Sequence, residues 1–158
     1  MLYFAYGSNL NLRHMKRHAP RAKPVGTARL AGYKLVFRHF IDLAPDETAS
    51  VMGGVYDITP ACERALDDYE DVPALYRKIT VKVDIGGEMK EAMAYVMTDA
   101  AVTSASDARQ RAPELSYFTV VAQGYRDWKL DPAALTKARL AILHTPKITK
   151  RGAAPERG

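Results

Sequence analysis

Apolar and polar residues alternate most clearly between Leu75 and Ile85. Leu75, Arg77, Ile79, Val81, Val83 and Ile85 take odd positions, while Tyr76, Lys78, Thr80, Lys82 and Asp84 take even ones. A period of two predicts a strand with one buried face. Gly86-Gly87 follows, a pair suited to a type I′ turn, and Met89 to Met97 then predicts a returning strand and so a hairpin. Near the N-terminus, Leu2 to Tyr6 is a short aromatic and aliphatic run that ends at Gly7-Ser8-Asn9 and predicts a strand running into a polar turn.

Asn9 or Asn11 can cap a helix running to about Ala19, where Pro20 stops it. Ala28 to Phe40 and Ser50 to Ile58 are rich in Tyr, Val, Leu, Phe and Ile and predict two strands separated by an acidic loop, Asp42 to Thr48. Thr59-Pro60 supplies an N-cap with proline at the first helical position, and Glu63 lies near the positive end of the dipole, so a helix should run to about Tyr69. After a Thr/Ser/Asp-rich loop, Leu115 to Trp128 and Pro132 to Leu143 predict two more helices. Interleaved strands and helices without regular βαβ repeats predict an α+β fold with a mostly antiparallel or mixed sheet. One domain is expected over residues 1–144, followed by a basic flexible tail over 145–158.

Composition narrows the classes. A chain of 158 residues, 47% of them hydrophobic, holds enough apolar material for a single core. Cys62, the one cysteine, can form neither an internal disulfide nor a multi-thiolate zinc site, and no CxxC or HExxH pattern occurs, so a reducing cytoplasm is the expected location. The first residues lack the basic flank and longer apolar stretch of a secretory signal, and no apolar run approaches membrane-spanning length, so no membrane role is expected.

The net charge of +5 raises the question of nucleic acid, but the charges are segregated. Residues 1–41 carry eight Lys or Arg and no acid, whereas residues 42–71 carry nine Asp or Glu and only Arg64 as a base. Facing each other, these stretches would make a pocket of opposed charges for a zwitterion; otherwise they are ordinary solvated surface. No nucleic-acid-binding motif is present, and nucleic acid is not an expected partner.

Two segments carry candidate chemistry. Tyr6-Gly7-Ser8-Asn9 sets backbone N–H groups beside a hydroxyl and an amide at a strand end, an arrangement that binds carboxylate or carbonyl oxygens, although four such residues can also be a plain turn. Glu70 lies in Leu66-Asp67-Asp68-Tyr69-Glu70-Asp71-Val72, where neighbouring carboxylates and the helix dipole would raise its pKa toward neutrality and suit it to general acid/base work. The same acids could simply decorate a solvated helix end. Tyr76 is placed on the polar face of the clearest strand, and Tyr117 in the first turns of a helix. Each would offer an aromatic wall and a directed hydroxyl, or serve as a packed core tyrosine. His14 and His18 lie four apart on a basic helix without the HExxH glutamate and read as surface residues, so no metal site is expected. Ser8 lacks a GxSxG elbow, and Cys62 lacks a nucleophile signature.

Tyr3-Phe4-Ala5-Tyr6-Gly7-Ser8-Asn9-Leu10 at the N-terminus, Leu66 to Val72 further on, Tyr76-Arg77-Lys78, and then Glu114 to Phe118 with Gly124-Tyr125 resemble, in order and spacing, the γ-glutamylcyclotransferase-like family. The resemblance covers roughly residues 1–128 and implies a small, mixed, mostly antiparallel β-barrel flanked by helices. It implies release of 5-oxoproline and a free amine from a γ-glutamyl compound, with no cofactor. Glu70 would be the acid/base group, and Tyr6, Gly7, Ser8, Asn9, Leu10, Tyr76 and Tyr117 would bind substrate. The glutathione-specific branch typically has leucine where this chain has Asn9, so the resemblance points to γ-glutamyl-amino acids. Ala122-Gln123-Gly124 stands where the family has a Gly-Ala pair, which leaves the amine side undefined. Oligomeric state stays open, a homodimer included. The rival readings are a non-catalytic or altered-specificity small-molecule-binding member of the same fold, and a nucleic-acid or partner-binding module using the basic regions.

Overall fold

The structure is a computed structural model that describes residues 1–107 and 112–145, the side chains of 105–107 excepted. The tail expected over 145–158 therefore lies, Thr145 apart, outside the described residues. Five strands close into a barrel in the order β1-β3-β2-β4-β5. Strand β1 (Leu2–Ala5) pairs antiparallel with β3 (Phe40–Asp57) and parallel with β5 (Glu88–Met97), where Tyr3 faces Met93. The other pairings are antiparallel: β2 (Lys23–Arg38) with β3, β2 with β4 (Tyr76–Ile85), and β4 with β5. The expected α+β class and the mixed, mostly antiparallel barrel are both observed.

The acidic loop expected between Asp42 and Thr48 does not form. The chain reverses at His39, whose φ is 74°, and Phe40 to Asp57 continue as one strand along β2. Asp42 weakens the apolar pattern at that point, yet it is only 2% exposed. Its carboxylate accepts from Arg38 Nη1 at 2.9 Å and from the Met97 N–H at 3.0 Å, which ties β3 to the end of the preceding strand and to the end of β5. A polar residue that satisfies its neighbours inside a sheet has the same sequence signature as a loop residue.

Between β1 and β2 lie a 3-10 turn (Ser8–Leu10) and helix α1 (Leu12–His18), which Asn11 caps by accepting from the His14 N–H at 3.0 Å. Asn9 is thereby left available for other work. Helix α2 (Pro60–Tyr69) starts on Thr59 as expected and ends at Glu70, with Asp71 turning the chain away at φ 52°. Helix α3 (Asp99–Asp107) replaces the expected Thr/Ser/Asp loop, its start capped by Thr98 Oγ1 accepting from the Ala101 N–H at 3.2 Å. Helices α4 (Leu115–Asp127) and α5 (Ala133–Leu143) lie where the sequence predicts them.

The core is continuous from the barrel interior to the faces of α2, α4 and α5, and Phe4, Leu10, Val55, Leu66 and Val121 are wholly buried in it. Burying each such side chain contributes about 1.5–3 kcal/mol. Helix α4 is fastened directly to the 3-10 turn. Trp128 Nε1 donates to the Leu10 carbonyl at 2.7 Å, Asn11 Nδ2 donates to the Val120 carbonyl at 3.1 Å, and Gly124 lets the two backbones touch.

Candidate active site

Strand β1 runs through the barrel wall and delivers the chain to Gly7, where the backbone breaks from extended geometry. A Cβ at Gly7 would lie 2.5 Å from Ile41 Cγ2, so only glycine lets the chain pass this close to β3. The 3-10 turn closes through the Leu10 N–H donating to the Gly7 carbonyl at 3.0 Å. The N–H groups of Ser8 and Asn9 precede that bond, at the end of the turn where backbone donors face outward. Ser8 Oγ lies 3.3 Å from the Tyr69 hydroxyl.

Glu70 caps α2 and meets this turn through Asn9. Asn9 Nδ2 donates to Glu70 Oε1 at 3.0 Å and to the Tyr3 hydroxyl at 2.9 Å, while Tyr56 donates to the Asn9 carbonyl at 2.7 Å. An ionised carboxylate only accepts, so this pairing orients the Asn9 amide with its nitrogen toward Glu70. Burial pushes the Glu70 carboxyl up to about 7, against the opposing effect of the Asn9 bond. The cause differs from the one expected. Crowded carboxylates do not raise it, because Asp68 and Asp71 are exposed and Asp67 turns away to accept from Tyr95 at 2.7 Å and Lys78 at 2.8 Å. Removal from water does.

Tyrosines form most of the remaining wall. Tyr6 donates to the Tyr95 carbonyl at 2.6 Å, and Tyr76 donates to the Ile41 carbonyl at 2.7 Å. The Tyr117 hydroxyl accepts from the Ile41 N–H at 3.2 Å. Tyr76 shares its strand face with Lys78 as expected. That end of the face is covered, because Lys78 reaches across to Glu63 and Asp67 of α2, and Tyr76 is buried.

Tyr6, Gly7, Ser8, Asn9, Glu70, Tyr76 and Tyr117 thus come together around one small cleft of about 30 Å³, open on one side to solvent. Leu10 does not line it: its side chain is wholly buried in the core, and its carbonyl serves Trp128. Three lining residues were missed in the sequence: Tyr3, Ile41 and Tyr95. The signal available for two of them was a tyrosine inside an otherwise apolar strand, whose hydroxyl needs a partner. Ile41 contributes through its backbone and carried no signal.

Among the described residues Glu70 is the charged residue of the cleft and no Lys or Arg lines it, so they do not form the expected pocket of opposed charges. His14 and His18 are not plain surface residues either. They are half-buried against the Tyr69 ring, at centroid distances of 5.0 and 4.2 Å, and burial pushes His14 down to about 4. The cleft combines one carboxyl group poised to exchange a proton near neutral pH with neutral hydroxyl and N–H donors, a set suited to acid/base chemistry on a small ligand bearing several oxygens. Among the described residues no helix is long and apolar enough to cross a membrane.

Comparison with known proteins bears on the family and the fold. The family model described as gamma-glutamyl cyclotransferase, AIG2-like, matches residues 3–118. No curated protein matches the chain by sequence. A solved gamma-glutamyl cyclotransferase is similar with a TM-score of 0.71 at 22% identity, over 99% of this chain and 94% of that one. An uncharacterised protein from Homo sapiens gives 0.69 at 22% identity, over 98% and 94%. YkqA from Bacillus subtilis gives 0.73 at 23% identity, over 93% of this chain and 55% of its own. At these identities the solved structures establish the shared fold. With the family model matched from β1 into α4, through the Tyr6-to-Asn9 turn and Glu70, this chain belongs to the AIG2-like gamma-glutamyl cyclotransferase family.

Proposed function

We propose that this protein is a γ-glutamyl cyclotransferase that converts a γ-glutamyl compound to 5-oxoproline and a free amine, with γ-glutamyl-amino acids as the preferred substrates. The observation that carries this reading is the Asn9–Glu70 pair. It joins a carboxyl group with a pKa of about 7 to the turn whose sequence resembles the family's glutamyl-binding motif. The family model's description supports a γ-glutamyl substrate class.

The reaction joins the substrate's α-nitrogen to its own γ-carbon and breaks the bond from that carbon to the leaving nitrogen. Two protons leave the α-ammonium, and two reach the departing amine. Glu70 takes them from the first nitrogen and returns them to the second, a task suited to a group that titrates near neutrality. Among the described residues no cation lines the cleft, so the α-carboxylate is held by neutral donors: the N–H groups of Ser8 and Asn9, and the Tyr117 hydroxyl. Folding the glutamyl chain back on itself accounts for much of the rate, because nucleophile and carbonyl belong to one molecule.

The test is mass-spectrometric detection of 5-oxoproline from a panel of γ-glutamyl dipeptides, γ-glutamylamines and glutathione. Wild type should release it, fastest from the dipeptides. Glu70→Gln should lower turnover by about two to four orders of magnitude with KM little changed. Equal turnover in the variant would remove Glu70 from the chemistry. A wild type that binds these compounds without turnover would establish the non-catalytic reading.

A further inference from the structure

The tyrosines around the cleft differ in where their hydroxyl protons go. Tyr6, Tyr76 and Tyr95 spend theirs on the Tyr95 carbonyl, the Ile41 carbonyl and Asp67 respectively. Tyr3 does not. Its oxygen accepts from Asn9 Nδ2 at 2.9 Å, and among the described residues no protein group accepts its proton. A hydroxyl can both donate and accept, so the Tyr3 O–H is a donor held in place and left unspent beside Glu70. Its ring is fixed, only 4% exposed, stacked 6.2 Å from Tyr56 and edge-on 5.6 Å from Tyr95. The strand that carries it pairs with β3 on one side and β5 on the other.

We infer that Tyr3 is a catalytic residue of the proposed reaction, its O–H donating to the substrate's γ-carbonyl oxygen as that oxygen becomes an oxyanion. The inference rests on the cyclotransferase reading. As the α-nitrogen bonds to the γ-carbon, the carbonyl π pair moves onto oxygen; it returns when the bond to the leaving nitrogen breaks. Between those events the negative charge needs a donor that is already aimed and costs nothing to reorganise. Asn9 links the two groups by giving one N–H to the acid/base carboxylate and the other to Tyr3. Burial and the neighbouring Glu70 charge raise Tyr3 well above the ordinary tyrosine range, so it stays protonated and donates. Tyr117 also keeps its proton while accepting from Ile41, but it is held from the β3 side, without Asn9.

The experiment compares wild type with Tyr3→Phe on a γ-glutamyl dipeptide as a function of pH. The expected result is a fall in kcat of about 100-fold, the usual effect of losing one oxyanion donor. KM should stay within about threefold, and the rise of kcat with pH should keep its midpoint near 7. If Tyr3 only steadies Glu70 through Asn9, that midpoint moves with the loss of rate, and the inference is overturned. A kcat within about twofold of wild type overturns it as well, while leaving the cyclotransferase reading intact. A wild type that releases no 5-oxoproline from any γ-glutamyl compound overturns both. Should Tyr3→Phe fail to fold, 3-fluorotyrosine placed at position 3 keeps the hydroxyl and reports by fluorine NMR. Its resonance should move on adding 5-oxoproline, and an unmoved resonance overturns the inference.

Discussion

Glu70 carries a conflict between stability and chemistry that can be measured without any substrate. Its carboxyl titrates at an ordinary value of 4.5 when the chain is unfolded and at about 7 when folded. Between those values the folded state holds the extra proton, so stability falls as pH rises through the window and stays lower above it. Below pH 4.5 both states are protonated and the cost vanishes. At about 1.4 kcal/mol per pH unit the full cost is about 3 kcal/mol. Glu70→Gln keeps the size of the side chain and cannot ionise, and its amide oxygen can still accept from Asn9. The variant should therefore be more stable than wild type at pH 8 by up to about 3 kcal/mol and equal to it at pH 4, read from urea midpoints at both values. Equal stability at pH 8 would mean that the carboxylate is solvated in the folded protein, and the basis for a general base near neutrality would go with it.

Helix α4 and the 3-10 turn act as one unit, because the helix contributes Tyr117 at one end of its length and Trp128 at the other. Their contact is tightest at Gly124. A Cβ there would lie 2.5 Å from Leu10 Cβ and 2.6 Å from the Asn11 nitrogen, and backbone cannot yield as a flexible side chain can. Gly124→Ala should destabilise the protein by about 1–3 kcal/mol despite alanine's better helix propensity, and should lower turnover more than a surface change of equal cost. A stabilised variant with full activity would separate the helix from the turn. This junction also shows what the sequence could and could not reveal. The helix was legible from its apolar spacing, and the Tyr6-to-Asn9 turn and Glu70 were legible because each belongs to a short local segment with its own chemistry. Tyr3 and Tyr95 were hidden because strand tyrosines look like core until their hydroxyl partners are known. Ile41 was invisible because its bonds to Tyr76 and Tyr117 are made by its backbone, which carries no signal in the residue type. The run from Asp42 to Thr48 was read as a loop because Asp42 finds its partners, Arg38 and the Met97 N–H, only after the barrel has closed.

At the scale of the whole molecule, the site is a product of that closure. Tyr3 comes from β1, Ile41 from β3, Tyr76 and Tyr95 from β4 and β5, Glu70 from the end of α2 and Tyr117 from α4. No single hairpin or helix holds enough of the cleft to keep its shape alone. The links between these pieces are themselves long-range: Asp67 of α2 to Tyr95 of β5 and Lys78 of β4, Asp42 of β3 to β5, and Trp128 just beyond α4 to the turn after β1. Sites built from mobile lids lose activity in mild denaturant before the fold unravels, because local opening costs less than global unfolding. Here Glu70 is pinned to the barrel wall through Asn9 and Tyr3, so opening the cleft requires opening the barrel. Turnover and far-ultraviolet circular dichroism, followed in parallel through a urea titration, should fall together with one midpoint. If turnover vanishes first, α2 or α4 detaches while the sheet survives, and the weak join is then located by repeating the titration on Lys78→Met for α2 and Trp128→Phe for α4. The variant that leaves the gap between the two transitions unchanged acquits its helix, and the one that widens it names the element whose docking sets the limit on the site's working range.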